Sequence, residues 1–143
     1  MNSIVVASDH AGFKLKEEIK LFLTKKKFQF TDMGPYDNSS VDYPDYAHAV
    51  ANAVERGNAA FGVLVCGSAN GVAITANKHA GIRAAICWEK EIAVLARAHN
   101  NANIICIPAR FVSTNATFEM VDAFLATPFE GGRHQIRVEK INK

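Results

Sequence analysis

Two textures of apolar and polar positions recur along the chain. Short, nearly continuous apolar runs are separated by longer stretches in which apolar residues return every three or four positions. The run at residues 4–8 predicts a first strand, bounded by polar residues on both sides. Residues 12–27 predict an amphipathic helix, because Leu15, Ile19, Phe22 and Leu23 share one face and lysines cover the other. Residues 28–32 predict a second strand, and residues 34–40 are a loop by their Gly, Pro, Asn and Ser content. Pro44 opens a helix that runs to Arg56 and closes at Gly57. The same reading gives strands at 61–66, 82–87 and 103–107, with helices at 71–78 and 89–99 between them. Ser113 is placed to cap a helix ending at Thr127-Pro128, and the basic segment 131–143 predicts a final helix.

Alternation of strands and helices predicts an α/β fold, a parallel five-stranded sheet with helices on both faces. Strands covered on both faces read as continuous apolar runs, as these do. Sheets of this kind bind ligands outside the carboxyl ends of their strands. That rule selects Asp9 and His10, the region 42–45, residues 66–71, Trp88 with Glu89, and Arg110. No repeat, linker or shift in composition divides the chain, so residues 1–143 are expected to form one domain.

Composition narrows the classes. The chain is 49% hydrophobic and 21% charged, which supports a packed core and argues against disorder. A formal net charge of +2 is too small to indicate nucleic-acid binding, although basic residues gather near the C-terminus. The three cysteines, Cys66, Cys87 and Cys106, form no C-x-x-C pair, so they read as reduced thiols of an intracellular protein rather than disulfides or zinc ligands. The N-terminal apolar run is too short for a signal peptide, and no stretch is long enough to span a bilayer. The expected location is the cytoplasm.

The most telling chemistry lies at Cys66-Gly67-Ser68-Ala69-Asn70-Gly71. Here a buried strand ends in a thiol and a short loop of small residues leads into a helix. Unpaired N–H groups and the positive end of a helix dipole favour an anion there, and favour thiolate over thiol. A small core residue ending a strand fits the same position. The loop is neither a Walker loop nor G-x-G-x-x-G, yet its amides and the Ser68 hydroxyl suit an oxyanion or enediolate. Asp9-His10-Ala11-Gly12 ends the first strand with a carboxylate and an imidazole, suited to phosphate or hydroxyl binding or to a simple helix cap. Tyr43-Pro44-Asp45-Tyr46 carries ordinary helix-start signals as well as polar groups. The segment 99–103, with His99 and Asn100, suits hydroxyl recognition, whereas His48 and His79 read as helix-surface and loop residues. Arg133 and Arg137, four apart, share a helix face that can hold one phosphate or simply face solvent.

Taken together, six dispersed segments resemble the ribose-5-phosphate isomerase B family, which also contains allose-6-phosphate and galactose-6-phosphate isomerases. They are residues 8–16, 42–47, 66–71, 76–84, 99–103 and 129–135, in order and across nearly the whole chain. The resemblance implies a Rossmann-like three-layer α/β/α fold with a C-terminal helical arm. It also implies a homodimer or tetramer with the active site at the subunit interface, and no metal or organic cofactor. The implied reaction interconverts D-ribose 5-phosphate and D-ribulose 5-phosphate through a cis-enediolate, within the pentose phosphate pathway. By resemblance, Cys66 is the base, Ser68 and the amides of Gly67 to Gly71 stabilise the enediolate, and His99 opens the furanose ring. Asp9, His10 and Asn100 hold sugar hydroxyls; Arg110, Arg133 and Arg137 clamp the phosphate; Tyr43 and Asp45 lie near the sugar. Family members commonly carry Thr at the position of Ser68 and Gly at that of Ala69. A positive φ at Ala69 costs about 1 kcal/mol relative to glycine, and its methyl is expected to occupy substrate-facing space. Those departures leave a six-carbon sugar phosphate as a rival substrate. A non-catalytic sugar-phosphate or nucleotide-binding module of the same architecture is the rival from another class, and neither nucleic acid nor membrane is an expected partner.

Overall fold

The computed structural model describes residues 3–143; Met1 and Asn2, which the N-terminal reading includes, lie outside the described residues. Strands β1 (Ile4–Ser8), β2 (Phe30–Asp32), β3 (Phe61–Cys66), β4 (Ala84–Ile86) and β5 (Ile104–Pro108) form one sheet in the order β2-β1-β3-β5-β4. Every pairing is parallel. The helices are α1 (Phe13–Lys25), α2 (Tyr43–Glu55), α3 (Asn70–Ala76), α4 (Lys90–Asn100), α5 (Thr114–Ala126) and α6 (Arg133–Lys140).

Alternation along the strands divides the interior into two cores. Ile4, Val6, Val63 and Ile105 face α1, α4 and α5, whose Ile19, Ala93 and Phe124 are buried against them. Val5, Ala7, Leu64 and Cys106 face α2 and α3 through Val50, Ala51 and Val72. The result is the three-layer, Rossmann-like α/β/α arrangement. Gly12 is required where α1 starts, since a Cβ there would run into the Val65 backbone. Lys16 of α1 is fully buried, and its ammonium donates to Asp32 Oδ1 and to the Pro35 carbonyl, both at 2.7 Å. This ties the loop after β2 to α1, behind the first strand.

The edge strands are shorter than the apolar runs suggest. Lys27 turns the chain with φ 64, and pairing of β2 with β1 begins only at Phe30. In β4 only Ala84–Ile86 pair with β5, although the apolar run spans 82–87. The final helix is also shorter than 131–143, because Gly131 and Gly132 have φ of 70 and 56 and belong to the turn before it.

Candidate active site

β1 and β3 are neighbours, with Ser8 opposite Val65, but the chain leaves them toward opposite sides of the sheet. A crevice opens at the carboxyl ends of such a pair. Asp9 extends β1 by donating its N–H to the Val65 carbonyl at 3.1 Å, and Cys66 is the last residue of β3. The two side chains meet there: Cys66 Sγ–H donates to Asp9 Oδ2 at 3.1 Å. Asp9 Oδ1 accepts the Gly12 N–H at 2.8 Å, so the same carboxylate also caps the turn into α1. Both residues are buried.

This geometry corrects one expectation from sequence. The Cys66 pKa is raised, first by burial and then by the hydrogen bond to Asp9 and its negative charge. The backbone N–H groups of Ala69 and Gly67 act in the opposite direction and are outweighed. The N-terminus of α3 does little for the thiol, because α3 starts four positions later, at Asn70, and has only seven residues. Cys66 therefore rests as a thiol with a carboxylate acceptor at hand.

Around this pair lies a cleft of about 410 Å³, lined also by His10, Tyr43, Ser68, Gly71 and Arg110. Two glycines allow the close approaches. A Cβ on Gly67 would sit 3.2 Å from the Arg110 guanidinium, and one on Gly71 would run into the Tyr43 ring. Ser68 Oγ accepts the Asn70 N–H at 3.3 Å, which holds the loop. Ala69 does adopt φ 67, but its side chain is fully buried among Val72, Ala73 and Leu64. The expectation that its methyl occupies substrate-facing space is thereby overturned. Asn70 faces a separate groove lined by Ile74, Asn77 and Lys78. Sequence reasoning missed Phe111, which lines the cleft while remaining 74% exposed. Its place directly after Arg110, three residues past the end of β5, is the signal that could have found it.

The remaining residues of interest lie at the other edge of the sheet. α4 ends with His99 and Asn100, and the Asn103 carbonyl next to it accepts the N–H of Gly62 at the start of β3. β3 runs from Phe61 to Cys66, a rise of roughly 17 Å from that edge to the thiol. α6, bearing Arg133 and Arg137, is attached to the same edge, since the Glu130 N–H donates to the Ala98 carbonyl at 2.9 Å. Within one chain the cleft thus gathers Asp9, His10, Tyr43, Cys66, Gly67, Ser68, Gly71 and Arg110, and not His99, Asn100, Arg133 or Arg137.

His99 has company of its own. Its ring stacks on that of His134, with centroids 4.1 Å apart and planes 13° from parallel. Glu130 Oε1 lies 3.8 Å from His99 Nε2 and 3.4 Å from His134 Nε2. These three ligand types lie close enough to invite a metal ion. However, a histidine binds metal in its ring plane, and two stacked planes share no such point, so the arrangement suits protons better than a cation. The His134 pKa is lowered, by burial first and then by the charges of His99 and Arg133, which keeps its ring neutral beside His99. His48 and His79, read as surface and loop residues, are in contact at 2.7 Å between ring nitrogens. With Glu55, which accepts the Gly81 N–H at 2.7 Å, they fasten α2 to the turn before β4. No helix among the described residues is long and apolar enough to cross a membrane.

Comparison with known proteins adds independent findings. The profile of the family described as Ribose/Galactose Isomerase matches residues 4–141. A probable ribose-5-phosphate isomerase B of Mycoplasma genitalium is 44% identical over 141 residues, covering 97% of this chain and 93% of that one. The crystal structure of a ribose 5-phosphate isomerase from Thermotoga maritima superposes with a TM-score of 0.97 at 48% identity, over 99% of this chain and 97% of that one. A ribose-5-phosphate isomerase B structure from Mycoplasma genitalium with bound ribulose 5-phosphate gives a TM-score of 0.93 at 44% identity, covering 98% and 93%.

Proposed function

The chain belongs to the ribose/galactose isomerase family, and we propose that it interconverts D-ribose 5-phosphate and D-ribulose 5-phosphate, in the cytoplasm and within the pentose phosphate pathway. One observation carries the chemistry: a thiol hydrogen-bonded to a carboxylate at 3.1 Å, at the floor of a polar cleft beside Ser68 and Arg110. An aldose–ketose isomerisation needs one group that takes a proton from C2 and returns it to C1. It also needs donors for the negative charge that develops on the substrate oxygens.

The steps follow from the side chains. His99 gives a proton to the ring oxygen as the bond between that oxygen and C1 breaks, and the C1 hydroxyl gives its proton to solvent, which returns one to His99, yielding the open aldehyde. The Cys66 proton passes to Asp9 Oδ2, and the resulting thiolate removes the C2 proton. Electrons of that C–H bond form the C1–C2 double bond, and the carbonyl pair moves onto O1 as a cis-enediolate. Ser68 and the loop amides stabilise this charge. Cys66 then delivers its proton to C1, O1 acquires the hydrogen that O2 gives up, C2 becomes the ketone, and Asp9 Oδ2 returns its proton to the Cys66 sulfur. Arg110, Arg133 and Arg137 hold the phosphate, whose remote binding orients the reacting carbons. Asp9, His10, Tyr43 and Asn100 position hydroxyls.

His99, Asn100, Arg133 and Arg137 lie at the opposite sheet edge from Cys66, so a complete site requires a second copy. We therefore assign a homodimer, alone or paired into a tetramer, whose partner supplies these four groups to the cleft. The exposed Phe111 at the cleft rim suits such an interface. Ribose 5-phosphate turnover by the purified protein, in metal-free buffer with chelator, tests the assignment. Robust formation of ribulose 5-phosphate is expected, with a loss of at least about 100-fold on Cys66→Ala. Near wild-type turnover by that variant would remove Cys66 from the mechanism. Saturable binding without turnover would mark a binding module instead.

A further inference from the structure

α6 docks on the body of the protein in an unusual way. It is eight residues long, and its only buried residue is His134. A short arm normally buries an apolar side chain; this one buries an imidazole against another imidazole, that of His99. The turn that permits this is built from Gly131 and Gly132, both at positive φ, after a Glu130 fixed by its N–H to the Ala98 carbonyl. Glu130 then presents Oε1 to both ring nitrogens, at 3.8 Å and 3.4 Å.

His99 ends a helix and its side chain is 39% exposed, so its own element leaves the ring free to rotate. A group that must give a proton to one ring oxygen needs a fixed plane and a fixed protonation site, because small misplacements are costly. Resting on the assignment of His99 to ring opening, we propose that His134 is a positioning residue: with Glu130, it holds the His99 imidazole in the plane that opens the furanose. His134 covers one face of the His99 ring and Glu130 Oε1 faces the Nε2 atoms of both rings, so the two neighbours together fix the plane of the His99 imidazole.

The reaction supplies a readout that separates positioning from mere anchoring of α6. Ribulose 5-phosphate has its C5 oxygen esterified and forms no furanose. Exchange of its C1 hydrogen with deuterated water therefore uses Cys66 and the phosphate clamp but no ring opening. His134→Ala is expected to lower ribose 5-phosphate turnover about tenfold or more, while C1 exchange, followed by proton NMR, stays within about twofold of wild type. His134→Phe, which keeps a flat ring on His99, should restore most of the turnover. If His134 only anchors α6, its removal displaces Arg133 and Arg137, and turnover and exchange fall together. That result overturns the proposal, as does a variant in which neither falls. Glu130→Gln lies on an exposed side chain and leaves packing intact, so it gives the same test if His134→Ala does not fold. His99→Asn separates the two levels. If it keeps full turnover, the ring-opening assignment fails. If it loses turnover and keeps exchange while His134→Ala lowers both or neither, only the present inference fails.

Discussion

Asp9 uses its two oxygens for different ends. Oδ1 accepts the Gly12 N–H and fixes the start of α1, while Oδ2 accepts the Cys66 S–H. Its charge helps keep Cys66 protonated, and it is also the nearest place for that proton to go. Asp9→Asn removes the charge and the acceptor together. Cys66 then ionises at lower pH, and alkylation by iodoacetamide near neutral pH should be several-fold faster. Turnover should nonetheless fall about tenfold or more, since the amide is a poor proton acceptor. Slower alkylation or unchanged turnover would contradict this pairing. Ala69 poses a balance of a different kind. Its left-handed backbone (φ 67) costs about 1 kcal/mol relative to glycine, but its buried methyl contributes about 0.8 kcal/mol. Ala69→Gly should therefore leave the urea midpoint within the equivalent of about 1 kcal/mol of wild type. A change beyond about 2 kcal/mol in either direction would show that one of the two effects has been misjudged.

Adjacent strands place three thiols in one sheet. Cys106 of β5 lies opposite Leu64 of β3, Cys66 ends β3, and Cys87 follows β4, its N–H donating to the Cys106 carbonyl at 3.0 Å. Burial raises the pKa of all three, that of Cys87 to about 12 against an ordinary value of 9.0. The sign of the linkage follows. Below about pH 9 the thiols are protonated in both folded and unfolded chains and contribute no pH dependence. Above it, the unfolded chain loses protons that the folded chain keeps, and stability falls as pH rises. Each thiol contributes a slope of about 1.4 kcal/mol per pH unit within its window. Urea midpoints between about pH 8 and about pH 10.5 should decline steeply, and Cys87→Ala should make the decline shallower whatever its effect at pH 8. An unaltered slope would place Cys87 in contact with water. Periodicity located these strands well where both neighbours pair with them: residues 61–66 are β3 as read. At β2 and β4 it overran, because an edge strand ends where its single partner stops pairing, and no run of apolar residues encodes that.

At the scale of the whole molecule, the sequence order of strands was enough to bring Asp9, Tyr43, Cys66, Ser68 and Arg110 to one edge, since each follows a strand or begins a helix there. It was not enough for the other half of the proposed site. His99 and Arg133 belong to the opposite edge, and the stacked His134 was not assigned a role because nothing in the spacing of residues 99 and 134 shows that two rings touch. The thiol's protonation was misread for a similar reason: a carboxylate 57 positions away, not the local loop, dominates its surroundings alongside burial. The proposed division of the site between two subunits has a consequence that subunit mixing exposes. Cys66→Ala and His99→Asn should each be severely impaired as homodimers. When they are co-refolded, a two-fold dimer of one copy each contains one site with both lesions and one with none. Random pairing makes half the dimers mixed, so about a quarter of wild-type activity should return. If both groups served the same chain's cleft, no mixed dimer would hold an intact site and the mixture would stay inactive. Recovery of a quarter, with wild-type KM in the recovered fraction, would show that every working site is built from the cleft of one subunit and the α4–α6 edge of the other.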